Sequence, residues 1–253
     1  MARQWAKQRQ IYYGAGVAAF ILLILAPVIY NAVHQDPTCF DGKQNQGETA
    51  IDKGGPCTLL DENAVQPLSI MWARSFEIRD GVHSAVAYVE NTNRGSGINS
   101  ITYQIKLYSE NSLLIAERFG RVSLLPGMVT PILETNIKTG TRKVVRTVFQ
   151  FLDREVWVKM QNPARDIEVY NEVLTSADVV PTVTAKVVNA GVTTKSNVVF
   201  IATVFDTTGN AIATSRTFIE RLKPTEEREL VFTWPSPFTL PVARIDIVPL
   251  MAP

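Results

Sequence analysis

Apolar and polar positions divide this chain sharply. Ile11–Val33 runs for 23 residues without a charge. At about 1.5 Å per residue such a helix is roughly 34 Å long, enough to cross a bilayer core with some tilt. From residue 68 onward the pattern changes to alternation with period two, rich in Val, Ile and Thr, which favours half-buried strands. Ser69–Ile78, Val82–Glu90, Ile101–Tyr108, Leu113–Val122, Val129–Ile137 and Lys143–Phe151 read as strands. They are separated by turn chemistry at Asn91–Gly97, Ser109–Ser112 and Leu124–Gly127. About seven short strands at this spacing predict an antiparallel sandwich.

The second half repeats the first at a shift of about 98 residues. Ala87–Asn91 aligns with Ala185–Asn189, Leu107–Ser109 with Val204–Asp206, Pro126 with Pro224 and Arg146 with Arg244. A period that long predicts two tandem domains rather than a solenoid. The expected fold is mainly β: two tandem antiparallel Ig-like β-sandwiches behind one N-terminal transmembrane helix. The expected divisions are a cytoplasmic tail at 1–10, a membrane helix at 11–33, a cysteine loop and linker at 34–67, and sandwiches at 68–153 and 154–253. The strand VWVKM (156–160) would open the second sandwich.

The flanks orient the helix. Arg3, Lys7 and Arg9 precede it, Asp36 and Asp41 follow it, and the positive-inside rule keeps the N-terminus in the cytoplasm. Trp5, Tyr12, Tyr13 and Tyr30 sit near its ends, where amphipathic rings favour the interface. A signal peptide would have a shorter apolar run and a small-residue cleavage site, so an uncleaved anchor is expected. The reading is a single-pass cell-membrane protein with its C-terminal bulk extracytoplasmic. With 25 basic and 24 acidic residues the net charge is +1, which argues against nucleic-acid binding.

Cys39 and Cys57 are the two cysteines of the chain, and both lie just beyond the membrane segment. This placement suits one disulfide in an oxidising compartment. A bond closing a loop of about 19 residues would restrict the unfolded chain by roughly 3 kcal/mol in the chain-entropy account. Between them, Asp41, Asn45, Glu48 and Asp52 offer oxygen ligands of the kind Ca²⁺ takes. The alternative is a disulfide-pinned polar spacer whose acids are solvated, with no cofactor. The order D-x-[DN]-x-[DN]-G of an EF-hand is missing.

Two resemblances follow from these residues. Cys39, Asp41, Gly42, Asn45, Glu48, Asp52, Gly54, Gly55 and Cys57 resemble a small motif of secreted and surface proteins, C-x-D-G-x-x-N-x-x-E-x-x-x-D-C-G-G-x-C. Lys53 stands where that motif has a third cysteine. The segments TVTAKVVNAG (182–191), VVFIATVFDTTGN (198–210) and LKPTEERELVF (222–232) resemble bacterial Ig-like extracellular modules of the FxLYD and CARDB type. Residues 82–133 fit the same pattern more loosely. The resemblance implies an extracellular fold, and the lack of any N-x-[ST] sequon points to a bacterial envelope.

Candidate chemistry is sparse. His34 and His83 are the two histidines, neither with a ligand at metal spacing. Serines lack G-x-S-x-G or S-x-x-K contexts, so no enzyme is expected. Lys138, Arg142, Lys143 and Arg146 lie within one short run, either as a charged edge that deters aggregation or as a basic contact surface. Trp72, Trp157 and Trp234 are expected in core or inter-module packing. The functional expectation is an interaction or scaffolding subunit of an envelope or surface assembly. Its partners are the membrane, through Ile11–Val33, and other envelope proteins. The alternative is a stand-alone adhesin or glycan-binding protein.

Overall fold

The computed structural model describes residues 2–33 and 38–251, with side chains described from 10 to 30 and from 38 to 251. His34, Asp36 and the side chains of Arg3, Trp5, Lys7 and Arg9 lie outside the described residues. The chain forms two compact units, residues 1–56 and 57–253.

In the first unit, helix α1 spans Ala2–Val33. It begins well before the charge-free run, because Ala, Gln, Lys and Arg at its start are good helix formers and no Gly or Pro interrupts them. The segment expected as a tail is therefore helical. Pro27 lies inside the helix, a position tolerated where neighbouring groups re-satisfy the freed carbonyl. After the helix, residues 38–56 form turns with a single bridge, Ala50 to Lys53. Cys39 and Cys57 are joined in a disulfide.

The second unit is built from antiparallel strands. β1 (Ser69–Arg79), β2 (Val82–Asn91) and β5 (Met128–Lys138) form one sheet in the order β1-β2-β5. β3 (Ser96–Tyr108), β4 (Leu114–Leu124) and β6 (Arg146–Phe151) form its partner, β4-β3-β6. Ala85, Ala87 and Val89 from β2 meet Ile101, Ile105 and Leu107 from β3 between these sheets. β8 (Ile167–Thr175), β9 (Thr182–Asn189) and β12 (Glu227–Thr233) form β12-β9-β8, while β10 (Lys195–Asp206), β11 (Ala211–Leu222) and β13 (Val242–Met251) form β11-β10-β13. Val183, Ala185 and Val187 meet Val198, Phe200, Ala202 and Val204 in this second core. The strand order is the same in both sandwiches: strands one, two and five against strands four, three and six.

The boundary differs from expectation. β7 (Val158–Lys159) pairs with Ser96 and Gly97 of β3, and Trp157 is buried in the first core at 2% exposure. The segment VWVKM therefore closes the first sandwich, and β8 opens the second. A strand of alternating residues can complete either neighbour; the bulky indole goes where a cavity receives it. Residues 58–67, expected as a linker, are also held by the first sandwich. Leu60 N–H donates to Trp157 O (2.9 Å), and Gln66 exchanges two 2.8 Å bonds with the Asn93 amide.

One device occurs in both sandwiches at equivalent strand ends. Asn91 Nδ2 donates to Ser96 O (2.9 Å) and Leu125 O (3.0 Å), while its Oδ1 accepts from Asn93 N (3.0 Å). Asn189 Nδ2 donates to Thr193 O (2.8 Å) and Leu222 O (3.1 Å), and its Oδ1 accepts from Gly191 N (3.1 Å). Each buried amide ties the turn after the second strand to the end of the fourth, satisfying backbone groups that water cannot reach. Asn91→Ala strands two buried carbonyls and is expected to lower stability by about 2–4 kcal/mol in denaturant unfolding, and Asn189→Ala, which strands one buried and one half-buried, by about 1–3 kcal/mol. Asp at either site gives no rescue, since a carboxylate cannot donate to two carbonyls.

Candidate functional site

The cysteine loop gathers all four acid and amide residues singled out from the sequence, within the first unit. Asp52 Oδ1 accepts from Asp41 N (3.1 Å) and Gly42 N (3.2 Å). Glu48 Oε2 accepts from Asn45 N and Asp52 N, each at 3.2 Å. Asp41 accepts from Lys43 N (2.8 Å) and from Asn45 Nδ2 (2.9 Å). The Asn45 amide, followed by the Lys43 backbone N–H, holds the Asp41 carboxyl below its ordinary range. These carboxylates close the loop as acceptors for N–H groups, work that a segment with so little apolar content cannot leave to a core. Asn45 Oδ1 is buried without a donor among the described residues. The same oxygens are of the type Ca²⁺ takes, so the loop's chemistry is that of oxygen acceptors, toward N–H groups or toward a hard cation.

The basic residues do not form one patch. Lys138 ends β5, Arg142 and Lys143 lie in the following loop, and Arg146 starts β6. Arg146 stacks its guanidinium 4.7 Å from the Tyr108 ring centre. Lys143 meets Glu110 at 3.5 Å, both well exposed, a pair worth little in water. Lys138, Arg142 and Lys143 line a cleft whose other wall holds Glu77, Asp80 and His83. His83 is buried, its Nδ1 is 3.1 Å from Thr139 Oγ1, and burial pushes its pKa down.

The feature that the alternation hides is the junction between the sandwiches. β2 and β10 are buried on both faces. Val86 and Tyr88 from β2 point away from the first core and meet Phe205 and Ala211, with Trp72, Phe76 and Leu133 packed around them. Trp72 stacks on Tyr88 with centroids 4.3 Å apart, and Phe205 presents its edge to both rings at 6.2 Å. Edge-to-face and stacked geometries of this kind add to the area buried. Arg74 Nη2 donates to Asn210 Oδ1 beside this cluster, and apart from it Asn162 Nδ2 donates to Pro126 O (3.2 Å). Leu125, from the β4–β5 turn of the first sandwich, enters the second core. The sequence does carry a signal: HSAVAYV and VVFIATVF are unbroken rather than alternating runs, the mark of a strand covered on both sides.

Polar groups enter this junction at a cost. The Tyr88 and Thr203 hydroxyls neighbour one another, yet neither completes a hydrogen bond by distance and angle among the described residues. Desolvation pushes the Tyr88 phenol up to about 12. Asp246, across the strand pair from Thr203, is raised by burial and eased by Arg244, whose Nε lies 3.0 Å away. Arg244 also rests over the Phe205 ring at 4.2 Å.

No protein-family model matches the chain, and no curated protein matches it. Among solved structures, red sea bream transglutaminase aligns at 9% identity over 73% of this chain and 29% of its own, with a TM-score of 0.25. A Bacteroides uniformis β-glucuronidase aligns at 13% identity over 68% of this chain and 22% of its own, with a TM-score of 0.19. A glycoside hydrolase family 2 β-glucuronidase gives 11% identity, 81% and 25% coverage, and a TM-score of 0.22. The chain thus spans under a third of each of these proteins.

Two variants and one chelation experiment test these assignments. Phe205→Ala empties the junction and is expected to cost about 3–5 kcal/mol. The wild type is expected to unfold in one calorimetric transition, the variant in two as the sandwiches uncouple. In the loop, Asp52→Ala frees the Asp41 and Gly42 amides and is expected to speed protease cutting between residues 39 and 57 about tenfold. Cutting of the wild-type loop is expected to be equal in EDTA and in Ca²⁺, because its carboxylates already serve N–H groups.

Proposed function

We propose that this protein is a single-pass membrane protein whose extracytoplasmic bulk works as an interaction or scaffolding subunit of an envelope or cell-surface assembly. The observation that carries the reading is the helical span Gln10–Tyr30, long and apolar enough to cross a membrane and with none of it buried. Leu22, Leu23 and Phe20 are 65–76% exposed there, in one continuous apolar run. An apolar surface of that length is unstable in water, and a bilayer is the environment that removes the cost.

Three further features support the orientation. The N-terminal flank is basic, the Cys39–Cys57 bond belongs in an oxidising compartment, and both cysteines follow the helix. The resemblance to FxLYD and CARDB modules and to the surface cysteine motif belongs to the same reading. The mechanism is geometric: the helix sets the location, and docked sandwiches offer sheet faces, edges and turns to partners.

The test combines topology with partnership. In intact cells the chain is expected to stay in the pellet through an alkaline carbonate wash. External protease should remove the β unit while sparing a tag on the N-terminus. Purification in mild detergent is expected to bring a protein in fixed ratio. A mature N-terminus near residue 34 and release into the soluble fraction would overturn the anchor, and solitary elution would overturn the assembly role.

A further inference from the structure

The junction joins unlike faces. The first sandwich contributes its β1-β2-β5 sheet and the second its β11-β10-β13 sheet, which by strand order corresponds to β4-β3-β6 of the first. A contact between non-equivalent faces is heterologous, and it leaves one face of each kind unused. Those are β4-β3-β6 on the outside of the first sandwich and β12-β9-β8 on the outside of the second. The unused pair is of the same topological kind as the docked pair.

Their charges are opposed. Cross-strand register puts Lys106, Arg121 and Arg146 on the outer face of β4-β3-β6, with Glu117 among them and Asp153 at the rim near Arg121. The outer face of β12-β9-β8 carries Glu168, Glu227 and Glu229, with Lys186. Apolar side chains lie within both faces: Phe119 is 55% exposed on the first, and Val173 and Val231 are 50% and 46% exposed on the second. The first face is also braced from strand to strand. Gln150 Nε2 donates to Gln104 Oε1 (2.9 Å), and Gln104 Nε2 donates to Glu117 Oε2 (2.8 Å).

We propose that the protein associates with a second copy of itself, head to tail. The acidic β12-β9-β8 face of one copy sits on the basic β4-β3-β6 face of the next and continues the stack. The proposal extends the interaction reading above by naming the partner. The outer faces are more polar than the docked ones: Thr184 and Lys186 stand at the places of Val86 and Tyr88, Gln104 at that of Ile201, and the charged Lys106 at that of Thr203. The contact is therefore weak, reversible and screened by salt.

Sedimentation velocity of the full chain, held one copy per lipid nanodisc to keep helices apart, tests this. Association is expected at about 50 mM salt and should weaken at least tenfold at about 500 mM. Lys106→Glu and Glu229→Lys should each abolish self-association, and mixing the two variants should restore it, since each supplies the face the other has lost. Lys106→Gln and Glu229→Gln, which add no repulsion, should weaken it less; circular dichroism melts check that all four fold. A monomer up to about 1 mM at low salt, or association indifferent to both reversals, would overturn the proposal. A chain that does not enter discs counts against the membrane anchor instead. The same titration in lipid-free buffer then decides self-association by the same outcomes.

Discussion

The β unit depends on the contact of β2 and β10 through faces that point away from their own cores. Each of these strands is covered on both sides, so neither has a solvent face on which to place charge. The aromatic trio Trp72, Tyr88 and Phe205 fills the space between them. Burying side chains of this size is worth roughly 1.5–3 kcal/mol each, which outweighs two unpaired hydroxyls at about 1–3 kcal/mol each only because several apolar neighbours join in. Asp246 stays tolerable because it lies at the margin of the contact, with Arg244 beside it. The residues flanking the sandwiches, from Leu125 to Asn162, then add a second point of attachment.

Much of this was legible in the residues and some was not. The runs rich in Val, Ile and Thr, bounded by turn residues, locate β1, β2, β4, β5 and β6 to within a few residues. The turn Asp206–Asn210 follows from its residues: Asp206 Oδ1 accepts from Thr208 N and Asn210 N, and Gly209 takes the positive φ that the turn needs. The alignment of Asn91 with Asn189 pointed to the buried amides without revealing what they bind. By contrast, alternation reports one buried face and is silent about a second. Val198, Phe200, Ala202 and Val204 form one face of β10; the unbroken run that also holds Ile201 and Phe205 marks a strand covered twice without saying which sheet covers the second face. Trp157 is in a core as expected, but the strand VWVKM joins the first sandwich rather than the second, since a short alternating strand has no intrinsic address.

The candidate site divides along the same line. The disulfide was legible because oxidising context and spacing suffice to pair two cysteines. The role of the loop acids was not, because a carboxylate that accepts two backbone N–H groups and one that waits for a cation have the same side chain. In the fold, Glu48 and Asp52 each span two amides, contacts that the spacing of the acids along the chain does not show. The basic run looked continuous in sequence because position along the chain ignores direction. In the fold, Arg146 turns onto the Tyr108 ring while Lys138, Arg142 and Lys143 face Glu77 and Asp80.

A shared strand order with unlike docking faces carries an inherent hazard. If both outer faces were as apolar as the inner ones, nothing would stop the stack at two sandwiches, and the chain would polymerise without limit. The replacements at matching positions remove that hazard: Thr184 where Val86 stands, Lys186 where Tyr88 stands, Gln104 where Ile201 stands. Each turns a surface that water would expel into one that water wets. What distinguishes an internal junction from an external one is therefore a handful of side chains on a common backbone. The charges that block permanent stacking are also the ones whose opposed signs permit a contact that salt can reverse.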